Sequence, residues 1–196
     1  MTTLSEIKQK YLAEAMARPI EKYCIRDHKG RIVARSNSPV VHVFNNEEDD
    51  AYAAEHYTLK ETYNGMKFWL GEESPTGLYQ SADGQFYTEL ELPENSDAFC
   101  TQRYANEVRA ERNARISDTD DYVKLPDITV ARSAGAKRSA LEEEDRTELE
   151  TYRQALRDLT EAQGFPFVAW PEFPSALAYE LQQKVDARQS MRQGGF

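Results

Sequence analysis

An α+β fold is predicted: a small antiparallel β-domain with a leading helix, then a helical domain carrying an aromatic and proline-rich strip. Three observations predict it. Asp27-His28-Lys29-Gly30, Tyr63-Asn64-Gly65 and Ser81-Ala82-Asp83-Gly84 are turn signals, each set between short runs of strand formers. Leu149, Tyr152, Leu156 and Leu159 recur at spacings of three, four and three, which lays one apolar stripe along a helix. Pro93 to Asp97, between these two regimes, is a polar connector. The expected divisions are therefore residues 1–19, 20–97, 98–174 and 175–196.

Leu4, Ile7, Tyr11, Leu12, Ala15 and Met16 share a face, so residues 3 to about 18 read as an amphipathic helix that Pro19 ends. Cys24-Ile25-Arg26 and Arg31-Ile32-Val33 flank the first turn signal. Val40 to Phe44 is a β-branched strand candidate, and Tyr57–Glu61 and Met66–Leu70 flank Asn64-Gly65. Leu78–Gln80 and Phe86–Leu90 surround the third turn. There Phe86, Thr88, Leu90 and Leu92 alternate with Tyr87, Glu89 and Glu91, which predicts one buried and one wet face. Residues 98 to about 116 read as a helix, Ser117 to Asp127 as a loop and 128–138 as a flexible basic spacer. Ser139 is the expected N-cap of the next helix, with Glu142, Glu143 and Glu144 in its first turn, running to about Gln163. Ser175 to about Arg192 reads as a last helix using Leu177, Leu181, Val185 and Arg188, followed by a loose tail, Gln193–Phe196.

Composition narrows the function. The chain has 196 residues, 40% apolar and 30% charged, enough for a real core. No run is long and apolar enough to span a bilayer, and the first residues have no continuous apolar stretch, so neither a signal peptide nor an anchor is expected. The formal charge is −10 and uneven, with 10 Lys and Arg against 17 Asp and Glu in residues 1–100. Such a surface repels phosphate backbones and anionic lipid, which argues against nucleic acid and membrane as partners. Cys24 and Cys100 read by default as two reduced thiols, a bridge between them being the alternative for which nothing local argues. His28, His42 and His56, placed in a turn, a strand and a loop, have no metal-ligand spacing. No nucleophile, phosphate-loop or metalloprotease motif occurs. Glu47 to Asp50 with Asn45-Asn46 reads as a solvated acidic loop. It lacks the ligand alternation and central glycine of a calcium loop. No catalytic residue, cofactor or metal is expected.

The segment Tyr152 to Pro174, YRQALRDLTEAQGFPFVAWPEFP, carries the most information. Gly164 ends the helix, and Pro166, Pro171 and Pro174 keep it from restarting. Phe165, Phe167 and Trp170 are left on a strip too apolar to lie free in water. It must fold back on its own helix or dock on another protein. Tyr152, Phe165, Phe167 and Trp170 are anchor-type aromatics, and Arg153 and Arg157, one turn apart, suit carboxylates on a partner. The alternative is a mini-core of Tyr152 and Trp170 with the arginines bridging Asp120 or Asp158.

Arg109, Arg112 and Arg115 precede Thr119-Asp120 and Tyr122. A spacer leads to Tyr152–Leu159, then Phe165-Pro166, Trp170-Pro171 and Pro174. This order resembles the C-terminal domain of bacteriophage tail assembly chaperone proteins, including proteins linked to tail-fibre assembly, over roughly residues 103–174. One departure is Asp121, which follows Thr119-Asp120 where an aromatic is expected, so Tyr122 comes one place late.

The resemblance implies a non-enzymatic chaperone that binds a phage tail or tail-fibre protein during virion assembly in the host cytoplasm. The expected partner-binding residues, from their own chemistry, are Tyr152, Arg153, Arg157, Phe165, Phe167 and Trp170. The alternative is a structural component of the virion tail, a fibre or baseplate adaptor. The two terminal helices favour it by offering contacts for a homo-oligomer. An enzyme acting on the host surface ranks below both.

Overall fold

Ile7 and Tyr11, one helical turn apart, are the buried residues of α1 (Leu4–Met16) in the computed structural model, which describes residues 2–193. The chain divides into two compact units at Cys100/Thr101. In the first unit, α1 packs on the last long strand and on the 3-10 turn Pro93–Asn95.

β1 (Glu21–Arg26) and β2 (Ile32–Ser36) pair antiparallel across the Asp27–Gly30 turn. Asp27 is buried there because its carboxylate accepts the Lys29 and Arg31 amides at 2.9 Å each, satisfying donors that the turn leaves free. β3 (Val41–His42) is shorter than the expected strand. α2 (Glu47–His56) replaces the expected acidic loop, and His56 is its last residue. Asn46 caps this helix by accepting the Asp49 amide, and four carboxylates in the first turn suit the positive end of the helix dipole. Among the described residues no group of carboxylates, histidines and cysteines is arranged to hold a metal ion.

β4 (Thr58–Tyr63) and β5 (Met66–Leu70) form the hairpin that Asn-Gly signals. Asn64 and Gly65 both take positive φ, 52° and 80°, and Tyr63 faces Met66. β6 (Glu72–Gln80) and β7 (Phe86–Tyr87) complete two antiparallel sheets, ordered β2-β1-β6-β7 and β3-β5-β4. Gly71 sits between them, with its amide on the Val40 carbonyl at 2.8 Å. A Cβ there would lie 2.6 Å from the Cys24 carbonyl oxygen. Ile25, Ala53 and Trp69 form one core cluster under Val40, Phe44 and Tyr57.

The alternation expected through Leu92 stops at Tyr87. Glu91 turns back to accept the Thr88 amide and hydroxyl, and takes Arg26 at 2.7 Å, so the chain coils into a 3-10 turn. Leu90 is thereby 91% exposed while Leu92 is buried. Cys24 and Cys100 are buried thiols not joined in a disulfide.

α3 (Asp97–Asp118) carries the chain into the second unit. The stretch expected as a loop contains α4 (Asp120–Lys124), which buries Tyr122. The expected spacer is also structured. β8 (Thr129–Val130) pairs with β9 (Ser139–Ala140), and Val130 is fully buried. Ser139 is thus a strand residue and not an N-cap. Glu142 caps α5 (Glu143–Asp158), its side chain taking the N3 amide while its own amide donates to Asp145 at 2.9 Å. A 3-10 turn, Leu159–Glu161, finishes the helix before Gly164.

The last helix, α6 (Ala178–Gln193), belongs to the core of this unit. Ala176, Leu177 and Leu181 pack with Tyr122, Val130, Leu141, Leu149, Tyr152 and Leu156. Both terminal helices therefore direct buried residues into their own units. Gly194–Phe196, most of the expected tail, lie outside the described residues.

Candidate partner-binding site

The stripe foreseen on α5 is the floor of the second unit: Leu149, Tyr152, Leu156 and Leu159 are all buried. Tyr152 is 4% exposed, and burial pushes its phenol pKa up. It meets Phe173 with ring centroids 5.8 Å apart. Tyr152 is therefore a core residue whose accessible edge faces a groove.

The strip after Gly164 folds back along α3. Phe165 lies under the Arg109 guanidinium at 5.1 Å, and Phe167 stacks on Tyr104 at 5.4 Å. Arg115 covers both Trp170 at 4.2 Å and Phe173 at 5.3 Å. Trp170 and Phe173 are partly buried against the core, and Phe165 and Phe167 are also half-buried. Planar guanidinium groups suit this task, covering ring faces while keeping their charge near water. Arg115 is fixed by Glu111 at 3.2 Å, and Glu111 also takes Arg188 of α6 at 3.0 Å. Burial would raise the Glu111 carboxyl. The two arginines outweigh it and hold the group below its ordinary value.

Arg153 and Arg157 separate in role. Arg153 Nη1 donates to the Ile116 carbonyl and to Asp120 Oδ1, both at 3.0 Å, and to the Thr119 hydroxyl. It ties α5 to the end of α3 and the start of α4, and its hydrogen bond above all holds Asp120 below the usual carboxylate range. Arg157 is exposed and reaches Gln154 at 3.3 Å. Together with Val123 and Glu150 they line a shallow concavity of about 510 Å³.

Beside it on α5, and sharing Thr151 with it, lies a groove of about 490 Å³ between that helix and the strip. Tyr152, Pro171, Phe173 and Pro174 give it an apolar lining; Glu148 and Glu172 are the charged ones among the described residues that line it. Glu148 is held there by the Ser175 amide and hydroxyl, at 2.9 and 2.8 Å, which lower its pKa.

The structure thus brings Phe165, Phe167 and Trp170 onto one strip, with Tyr152 beneath it, and places Arg157 in the neighbouring concavity, outside the groove. Two participants were missed from the sequence. Phe173 lay in the strip and carried the same aromatic signal. Glu180 gave no signal: it accepts the Tyr122 hydroxyl at 2.6 Å, the Ala131 amide at 2.8 Å and Arg138 at 2.9 Å. Burial alone would raise this carboxyl; its donors outweigh that and leave it lowered. Tyr122, one place late by the family pattern, is buried and anchored by this bond, which with burial raises its phenol pKa.

One comparison decides what this arrangement is similar to. Residues 105–175 match the family model for phage tail assembly chaperone protein. The matched segment runs from α3 through α5 to the end of the strip, and so includes both the groove and the guanidinium-covered rings. It stops just before α6, although that helix completes its core. No curated protein and no solved structure matches the chain.

Proposed function

We propose that this chain is a non-enzymatic chaperone of phage tail or tail-fibre assembly, which holds a tail protein in the host cytoplasm until that protein docks. The observation that carries this reading is the chaperone match over residues 105–175, a segment whose accessible concavities flank α5. Such a role needs an apolar surface accessible to a client and rigid enough to present it. The groove beside Tyr152 and Phe173 has those properties, and no cofactor is required. None of the described helices is long and apolar enough to cross a membrane.

The test is mass spectrometry on purified particles and on lysate from the same infection. A chaperone is abundant in lysate, co-purifies there with a tail protein and is absent from particles. A fixed copy number per particle would replace this reading with that of a tail adaptor.

A further inference from the structure

We infer that the groove between α5 and the proline-rich strip binds a short segment of a tail protein in which large apolar side chains stand next to a lysine or arginine. This deepens the reading above and rests on it. The groove offers two things together. Pro171 and Phe173, both partly exposed, supply apolar surface over the buried Tyr152 and Pro174, and a space of about 490 Å³ is of the size that accepts a few side chains. Among the described residues its charged lining has one sign, Glu148 and Glu172, and includes no lysine or arginine. Arg132, whose charge reaches Glu148, is already paired with Asp145 at 2.7 Å.

Glu148 has a defined position because Ser175 fixes one carboxylate oxygen by two hydrogen bonds. A fixed carboxylate beside an apolar floor recognises a cation attached to an apolar body, and disfavours an acidic segment by like-charge repulsion. The same argument disfavours a second copy of this chain, which carries a formal charge of −10. Arg153 and Arg157 line the neighbouring concavity and not the groove, and are not needed for this contact.

The experiment uses the full chain and overlapping immobilised peptides covering each tail protein of the phage that encodes it. Wild type is compared with Glu172→Lys, which reverses an exposed groove charge, and with Glu61→Lys, the same charge reversal at an exposed position of β4 in the first unit. Circular dichroism confirms that both variants fold. The expected result is that bound peptides carry large apolar residues flanked by Lys or Arg. Glu172→Lys weakens them about tenfold or more, and Glu61→Lys changes them less than twofold. Binding of acidic or uncharged peptides, or equal binding by Glu172→Lys, overturns the proposal. So does a dimer in sedimentation that Glu172→Lys abolishes, which would put a second copy in the groove. If wild type binds no peptide yet co-purifies with an intact tail protein, the groove proposal fails and the chaperone reading stands. If the peptides behave as expected but the chain has a fixed copy number in particles, the chaperone reading fails and the groove stands.

Discussion

Arg115 lies over the Trp170 ring, guanidinium carbon to centroid 4.2 Å, and the same group reaches Phe173. One side chain of α3 therefore holds down much of the strip. Trp170 is partly buried, so Trp170→Ala is expected to cost about 2–3 kcal/mol, less than the ~3–5 of a fully buried aromatic. Arg115→Gln combined with Trp170→Ala in a double-mutant cycle should give a coupling of about 0.5–2 kcal/mol. Urea unfolding measures both, and additive losses would show that the guanidinium contributes nothing through the ring.

Arg153 and Arg157 should behave differently although they are one turn apart. Arg153→Ala removes the donor shared by Ile116, Thr119 and Asp120, and is expected to cost about 1–3 kcal/mol. Arg157→Ala should stay within about 0.5 kcal/mol, as for an ordinary surface change. Thermal melts of the two variants decide it. Equal losses would mean that Arg157 has a structural partner.

Removing residues 175–196 should unfold the second unit. The deletion takes away Ala176, Leu177 and Leu181 from the core, as well as the Glu180 carboxylate that holds Tyr122 and Ala131. Leu181→Ala alone is expected to cost about 2–5 kcal/mol. Amide NMR spectra report the outcome: dispersed resonances from residues 101–174 of the truncated chain would refute it.

Asp49 gives the first unit an acid-sensitive contact. The His28 amide, the Asn46 side chain and the His28 ring hold its carboxyl down to about 2. A depressed carboxyl stabilises the fold above its unfolded value of about 3.9, and that contribution is lost as pH falls from about 4 toward 2. Asp49→Asn should flatten the dependence of the urea midpoint on pH in this window. An unchanged slope would assign acid sensitivity to other carboxylates.

Gly71→Ala should destabilise the first unit by about 1–3 kcal/mol, the usual range for overpacking. The added methyl would stand 2.6 Å from the Cys24 carbonyl oxygen and 2.6 Å from Val40 Cγ1, and the backbone oxygen cannot swing aside. A variant with the wild-type melting profile would show that β1 and Val40 can move away from this position at little cost.

The sequence by itself determined what depends on near neighbours along the chain. Asn64-Gly65 dictates its hairpin because the left-handed conformation is local chemistry. The Leu149–Leu159 stripe likewise dictates a buried helix face through 3.6-residue periodicity. The order of arginine, aromatic and proline motifs from Arg109 to Pro174 was legible for the same reason. Tertiary structure alone decided where each group lost its water. Arg153 finds Asp120, Glu180 finds Tyr122, and Val130 disappears beneath a two-residue ladder, all across separations that no local pattern encodes. Leu90 and Leu92 make the point most simply. They share a period-two pattern, yet one is in solvent and the other in the core, because Glu91 between them was drawn back to Thr88 and Arg26. A residue's periodicity predicts which face it shares; only the packed chain decides whether that face is covered, because covering it requires partners brought from far along the sequence.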